Sequence, residues 1–472
     1  MSSFGLAASL QGTSVAAIVE ALTGELHRRD WPAGTRVASI RAMAIRHGLS
    51  RYAVVEAYER LVATGYLQAK PGSGFFIKTL KRSSTGNARH AQSRDFDVAR
   101  LIRRVLEDDT DALKVGGPWL PDDWLDPRRL RTVIRSLASK PGSHFLHYGH
   151  PLGYLPLREL IRRMVEEVGL IVPVEQIVLC AGTSQALDLV VRRLLRSGDT
   201  VMVDDPGYYN LFAYLRWYGA RLVAVPRTPV GPDIAALRRC ALEYRPKVYF
   251  TQTAMQNPTG SSMSLTTMHR VLAAATEFDF QIVEDDTYAD LEPEPGPRLA
   301  TLDGFERVIY VRSFSKTLSG SFRVGYVIGA AALVESIVDA KVLTSITTSP
   351  FSEMVVSRVL LDGHYRTFLG RLRARIAQAR EAALMLLDEN GLEIFCRPAA
   401  GNFLLARIPG VDDASTLQVE AEKDHVILAP GAVFRPNLEV SPWMRFNVAL
   451  CDDPRLKTLL RRIAGRKPPV HR

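Results

Sequence analysis

The segment SFSKTLSGSFRVGY, residues 313–326, sets Lys316 among hydroxyl side chains and ahead of Arg323. An apolar run at 308–311 leads into it, and a second at 324–328 leaves it. A buried strand that delivers a lysine into a pocket prepares Schiff-base chemistry, in which a neutral amine attacks a carbonyl carbon. Such chemistry on a phosphorylated pyridine cofactor needs more than the lysine. It needs a cup for an anion, an acid opposite a ring nitrogen, donors to a phenolic oxygen and a surface for stacking.

Each need has candidates elsewhere in the chain. CAGTSQALDLVVRRLL, residues 180–195, ends a strand at Gly182, Thr183 and Ser184 and opens a helix from about Gln185. A helix amino terminus presents unpaired N–H groups to an anion, and Ser313, Ser315 and Arg323 complete the cup. Alone, AGTS reads better as a capped helix start than as an anion site. QIVEDDTYADL, residues 281–291, puts Glu284, Asp285 and Asp286 where an apolar strand stops, the end of a parallel strand that faces a ligand crevice. Three adjacent acids are costly to bury together, so one is expected to point inward and the others outward. Asp285 is taken as the inward one, with Tyr288 placed to donate to the phenolic oxygen. QNPTG (256–260) offers Asn257 as a second donor, and DDPGYYN (204–210) offers Tyr208 or Tyr209 for stacking. HYGHPLGY (147–154) offers Tyr148, which could reach a phosphate or simply pack in a loop.

These pieces require a scaffold that brings strand ends together. Short apolar runs at 177–180, 201–203, 248–250 and 282–283 alternate with helical patterns from about residue 98 onward. That alternation predicts an α/β fold with a mixed, mostly parallel sheet covered by helices. The amino-terminal part differs. Val15, Ile18, Val19, Leu22 and Leu26 recur at helical spacing. Ser39 reads as the N-cap of a short helix, IRAMAIRHG, that Gly48 ends. A second short helix opens at Ser50 and Arg51, with Val54, Val55, Tyr58, Leu61 and Val62 as its core stripe. Two short helices across a tight turn form a helix-turn-helix, and YLQAKPGSGFFI (66–77) reads as a hairpin turning at 71–74. A three-helix packing module with a basic face explains the same spacing. In the DNA-binding reading, Arg41, Ser50 and Arg51 approach the major groove, while Lys70, Gly72, Ser73 and Gly74 lie along the sugar-phosphate edge.

Bulk properties narrow the setting. The chain has 472 residues, 47% hydrophobic and 23% charged, with a formal charge of +10. This is globular composition with room for a small and a large domain, and its charge permits a nucleic-acid partner without requiring one. Four widely spaced cysteines form no ligand pattern, so no metal site is expected. No secretory leader or apolar span of about twenty residues stands out, which suggests a cytoplasmic protein with no membrane partner. The expected organisation is a DNA-binding domain over 11–78, a basic polar linker over 79–108 and a large domain over 109–468.

The stretch PAGTRVASIRAMAIRHGLSRYAVVEAYERLVATGYLQAKPGSGFFI resembles the winged helix-turn-helix of the GntR family, with Ala38 where that family has proline. Residues from about 110 to 465 resemble a fold-type I aminotransferase. SFSKTLSGSFRVGY is similar to its Schiff-base segment, which implies pyridoxal 5'-phosphate held by Lys316 as an internal aldimine, with Arg323 on the phosphate. QNPTG, the Asp285 and Tyr288 pair, and DDPGYY with Tyr208 at the stacking position fall in that family's order. PWMRFNVA implies Arg445 as the arginine for a ligand α-carboxylate, and Tyr148 matches a tyrosine that crosses to a neighbouring subunit's phosphate. PAAGNFLL departs from the pattern at Ala400, where many relatives have a second glycine. Together the two halves resemble the MocR group of bacterial transcription regulators. That resemblance implies a head-to-tail homodimer, double-stranded DNA as partner, nucleoid association when bound, and a small amine, amino acid or B6 vitamer as effector. The alternative is a working aminotransferase carrying an accessory DNA-binding domain.

Overall fold

The structure is a computed structural model that describes residues 15–28, 34–70, 72–78, 111–139 and 146–464. The linker expected over 79–108, and Pro71 in the expected hairpin turn, lie outside the described residues. The chain divides into two compact units, residues 1–93 and 94–472.

In the first unit, helices α1 (Val15–Arg28), α2 (Ile40–His47) and α3 (Arg51–Ala63) precede a two-stranded hairpin, β1 (Leu67–Lys70) and β2 (Gly74–Ile77). Local signals set the helix ends. The Ser39 Oγ accepts from Ala42 N at 3.2 Å, and the Ser50 Oγ accepts from Ala53 N at 3.1 Å. Each hydroxyl satisfies a backbone donor that the first helical turn leaves unpaired. Gly48 closes α2 at φ 65°, where a Cβ would be strained. Ile18, Leu22, Met43, Val54, Tyr58 and Leu61 bury one face of each helix against Leu67 and Ile77 of the hairpin. The Tyr58 hydroxyl donates to Ala38 O at 2.9 Å, tying α3 to the segment before α2. The hairpin pairs antiparallel, from Leu67 opposite Ile77 to Lys70 opposite Gly74.

In the second unit, the described residues form a sheet of eight strands. They are β3 (Ile177–Cys180), β4 (Thr200–Asp205), β5 (Arg221–Thr228), β6 (Gly231–Pro232), β7 (Val248–Thr251), β8 (Gln281–Asp285), β9 (Val308–Ser313) and β10 (Gly325–Ile328). Their spatial order is β3, β10, β9, β8, β7, β4, β5, β6. The pairs from β9 across to β5 are parallel, whereas β10 is antiparallel to both its neighbours. Chain length explains the exception. A parallel return needs a crossover of a dozen or more residues, usually a helix, and 314–324 is too short to supply one. That short return carries Lys316 and Arg323. β3, β7, β8 and β9 are essentially continuous in burial, as expected for strands covered on both faces.

A second, antiparallel sheet comprises β11 (Glu393–Ile394), β12 (Phe403–Arg407), β13 (Ala429–Pro430) and β14 (Trp443–Asn447), in the order β11, β12, β14, β13. Its core packs Phe403, Leu404, Met444 and Phe446 against the helices His364–Glu389 and Pro454–Ala464.

The capping geometry yields a stability test. Ser39→Ala should lower the unfolding free energy of the amino-terminal unit by about 1 kcal/mol, and Ser39→Gly by only a few tenths. Urea unfolding of the full chain reads both, and an Ala variant as stable as the parent contradicts the cap.

Candidate functional site

The carboxyl ends of the central strands converge on a cavity of about 480 Å³. Its wall includes Thr183 and Ser184 after β3, Tyr208 after β4, Gln252 and Asn257 after β7, and Asp285, Thr287 and Tyr288 at the end of β8. Ser313, Ser315, Lys316 and Arg323 enter from the return between β9 and β10, and Pro118 and Trp119 from an earlier segment. This is the crevice that parallel α/β sheets form beyond their strand ends.

Lys316 has its Nζ 5.7 Å from the centre of the Tyr288 ring. Burial pushes its ammonium down to about 8, the Arg445 and Arg323 cations push the same way, and Asp285 opposes them. At pH 7 roughly a tenth of such amines are neutral, against well under a thousandth for a free lysine. The nucleophile is thus prepared by its surroundings before any partner arrives.

Asp285 lines the same cavity and is held by its own donors. Gln252 Nε2 donates to its Oδ2 at 3.0 Å, and Thr287 donates to Oδ1 from its backbone N at 3.1 Å and its hydroxyl at 2.5 Å. Burial raises this carboxyl to about 6, with the Thr287 and Gln252 bonds pulling it back. An added cation facing Asp285 would lower it again.

The neighbouring acids correct a sequence expectation. All three of Glu284, Asp285 and Asp286 are buried, with none turned to solvent. Glu284 accepts from Thr253 Oγ1 at 2.5 Å and from Leu299 N and Ala300 N at 2.9 Å, capping the short helix Leu299–Asp303. Asp286 pairs with Arg298 Nε at 2.7 Å and accepts from the Tyr310 hydroxyl at 2.6 Å. The cost of burying three adjacent acids is offset by giving each its own donors. The partners lie beyond the strand itself, so the local sequence did not reveal them.

The anion end is equally specific. The helix Gly182–Leu194 begins three residues before its expected start, so its first-turn N–H groups are those of Gly182, Thr183 and Ser184. Gly182 has φ 74°, and a Cβ there would come within 2.5 Å of the Arg323 guanidinium. Arg323 donates to Ala181 O at 3.1 Å and to Ser315 Oγ at 3.4 Å, and remains exposed at the mouth. The hydroxyls of Thr183, Ser184, Ser313 and Ser315, a helix terminus and the Arg323 cation therefore line one cavity with groups suited to an anion.

Tyr208 lines the cavity, its hydroxyl raised to about 12 by burial. Arg445 stands behind the wall rather than on it. It is buried and donates through Nη1 to Asn257 Oδ1 at 2.6 Å and through Nε to Gly116 O at 3.2 Å. The Phe403, Phe434 and Tyr209 rings flank its guanidinium at 4.5, 4.8 and 5.9 Å. Because Asn257 Oδ1 is taken, its amide nitrogen is the group left to donate into the cavity. Tyr148 is 78% exposed and does not line the cavity of this chain. Gln252, Thr287 and Trp119 went unrecognised in the sequence. The first two were legible as polar residues at strand ends, whereas Trp119 carried no such signal.

On the amino-terminal unit, Arg41, Ser50, Arg51, Lys70, Gly72, Ser73 and Gly74 are all exposed. The Ser50 hydroxyl serves as the cap of α3, and the Lys70 ammonium lies 4.8 Å from the Phe76 ring centre. Ile45 and Tyr52, also exposed, add an apolar and an aromatic surface to this unit.

Among the described residues, no group of three or more His, Cys, Asp or Glu gathers to hold a metal, and no helix is long and apolar enough to cross a membrane. Residues 122–463 match the family Aminotransferase class I and II, and residues 15–77 match Bacterial regulatory proteins, gntR family. An uncharacterized HTH-type transcriptional regulator of Bacillus subtilis, YdfD, is 27% identical over 438 residues, 88% of this chain and 89% of that one. A 2-aminoadipate transaminase of Thermus thermophilus is 30% identical over 355 residues, covering 74% of this chain and 88% of its own. The solved structure of Pyrococcus horikoshii kynurenine aminotransferase, in complex with PMP, has a TM-score of 0.72 at 27% identity. The match covers 79% of this chain and 94% of that one.

The lowered Lys316 pKa yields a direct measurement. In cofactor-free protein, the pH midpoint for labelling Lys316 by an amine reagent, read by peptide mass spectrometry, should lie near 8. Asp285→Asn removes a charge that favours the ammonium and should move the midpoint down; Arg323→Ala removes one that disfavours it and should move it up. A parent midpoint above 10, or shifts of the opposite sign, contradicts this electrostatic account.

Proposed function

The chain belongs to the aminotransferase class I and II family, and from that premise we propose a transcription regulator whose large unit uses pyridoxal 5'-phosphate to sense a small amine, amino acid or B6 vitamer. It joins a gntR-family DNA-binding domain to an aminotransferase-type fold. The observation that carries the reading is the convergence of Lys316, Asp285, Asn257, Tyr288 and Arg323 on one cavity, in a chain whose other unit presents Arg41, Arg51 and Lys70 to solvent. An aminotransferase has no chemical need of that second unit.

The residues present fit the cofactor. Gly182 lacks the Cβ that would displace Arg323, and the helix terminus with Thr183, Ser184, Ser313 and Ser315 suits a phosphate. Asp285 suits a protonated ring nitrogen, Tyr208 a ring face, and Asn257 and Tyr288 a phenolic oxygen. When bound, the cofactor supplies an aldehyde for primary amines and a ring that withdraws electrons. This chain's residues then divide the remaining work. Lys316 presents a neutral amine in useful proportion, Asp285 holds a proton at the ring nitrogen, and Arg445, from behind the wall, orients Asn257 and lends positive charge toward a ligand carboxylate. Tyr148, exposed here, suits a contact made from a second copy in a head-to-tail dimer. We place the domains at 11–78 and 109–468, with a linker at 79–108, and the protein in the cytoplasm, on the nucleoid when DNA-bound.

Both halves are testable on the purified full chain. Added cofactor should give a visible absorbance band that Lys316→Ala abolishes, while Arg323→Ala keeps the band and loosens retention at least several-fold. A colourless parent overturns the cofactor reading. On DNA, Lys70→Ala should weaken binding across sequences, as a backbone contact does, whereas Arg51→Ala should also lose selectivity by ~1–3 kcal/mol per base pair read. Equal affinity of the parent for operator and random duplex overturns the regulator reading.

A further inference from the structure

The segment at 115–119, KVGGPWLP in its sequence context, hangs from one strand of the smaller sheet. On β14, Arg445 and Asn447 lie two residues apart and so share a face. Their side chains and the Asn447 backbone reach successive carbonyls of this strap. Asn447 N donates to Val115 O at 2.8 Å, and Arg445 Nε donates to Gly116 O at 3.2 Å. The Asn447 amide donates to Gly117 O at 3.1 Å and to Trp119 O at 2.6 Å. Asn447 is fully buried, so these bonds are not shared with solvent. Gly116 runs so close to β13 that a Cβ would overlap the Ala429 backbone, and a Cβ on Gly117 would press on the Trp119 ring at 3.3 Å. Four carbonyls and two glycines therefore fix a short piece of irregular backbone.

What that fixed backbone presents is Pro118 and Trp119, both on the cavity wall. Trp119 is 38% exposed, so part of its side chain is open to a ligand in the cavity. The guanidinium that holds Gly116 also holds Asn257 on the cavity wall, so the strap and that wall residue are fixed by one buried cation. We infer that Trp119 is the specificity-determining residue of the cavity, and that the preferred effector is an α-amino acid with a flat, apolar or aromatic side chain. The inference rests on the cofactor-sensor reading above. A rigid indole rewards a flat apolar partner because little ordering entropy remains to be lost. It gives a small or anionic side chain no comparable contact.

The test titrates the cofactor-loaded full chain with L-phenylalanine, L-alanine and L-glutamate, following the visible band and, independently, heat of binding. L-phenylalanine should show a midpoint roughly tenfold lower than the other two. Trp119→Ala should erase most of that ratio while leaving the cofactor band intact, and Trp119→Phe should preserve most of it. A loaded parent with equal midpoints, or a ratio unchanged in Trp119→Ala, overturns the inference and leaves the cofactor reading standing. A parent that never acquires the band overturns both.

Discussion

The site in the large unit turns on the difficulty of keeping a lysine and a carboxylate in one crevice that withholds water from both. Water would stabilise both charges, and the fold removes most of it. Lys316 responds by giving up part of its charge, and Asp285 by holding its proton more tightly, each moved toward neutrality by burial. The site is stable because hydrogen bonds from Thr287 and Gln252 take over from solvent at the carboxylate. The Arg445 and Arg323 cations add to burial in keeping the lysine from regaining its full charge. A ligand that brings its own positive ring nitrogen and negative phosphate complements this imbalance at both ends.

The sheet topology meets that constraint with few parts. Parallel strands deliver their ends to one edge, so residues far apart in sequence, such as Asn257, Asp285 and Lys316, meet without long loops. The antiparallel insertion of β10 lets a short return bring Lys316 and Arg323 to the same cavity. The smaller sheet contributes through β14, whose Arg445 reaches Asn257 and so joins the two sheets behind the cavity wall. A side chain that bridges two layers is a natural point for a ligand to alter their relation.

Sequence revealed what local chemistry determines. Ser39, Gly48 and Ser50 marked helix ends because capping involves neighbours within a few residues. The strand ends and the Lys316 return were legible for the same reason, as apolar runs that stop at polar residues. Glu284 and Asp286, at the end of β8, were misread as outward because their donors, Arg298, Tyr310 and the backbone of 299–300, are supplied by the fold. The role of Trp119 was hidden likewise, since the bonds that hold it come from residue 447. Family resemblance identified Arg445, but only the structure places it behind the wall, in an aromatic cage.

Sensing and turnover draw on the same residues and differ in what must follow binding. Regulation requires that a ligand bind the two DNA-binding states unequally, and a coupling of about 1–3 kcal/mol changes affinity roughly 5–150-fold. Turnover requires instead that a keto product form and leave, and that a second substrate restore the aldehyde. The decisive measurement is a paired one on a single cofactor-loaded preparation, DNA affinity and keto-acid production against the same panel of amines and amino acids. The account predicts that a ligand which alters the visible band also changes operator affinity at least fivefold, with keto acid formed slowly or not at all. Sustained turnover with operator affinity unmoved by every ligand on the panel would contradict it.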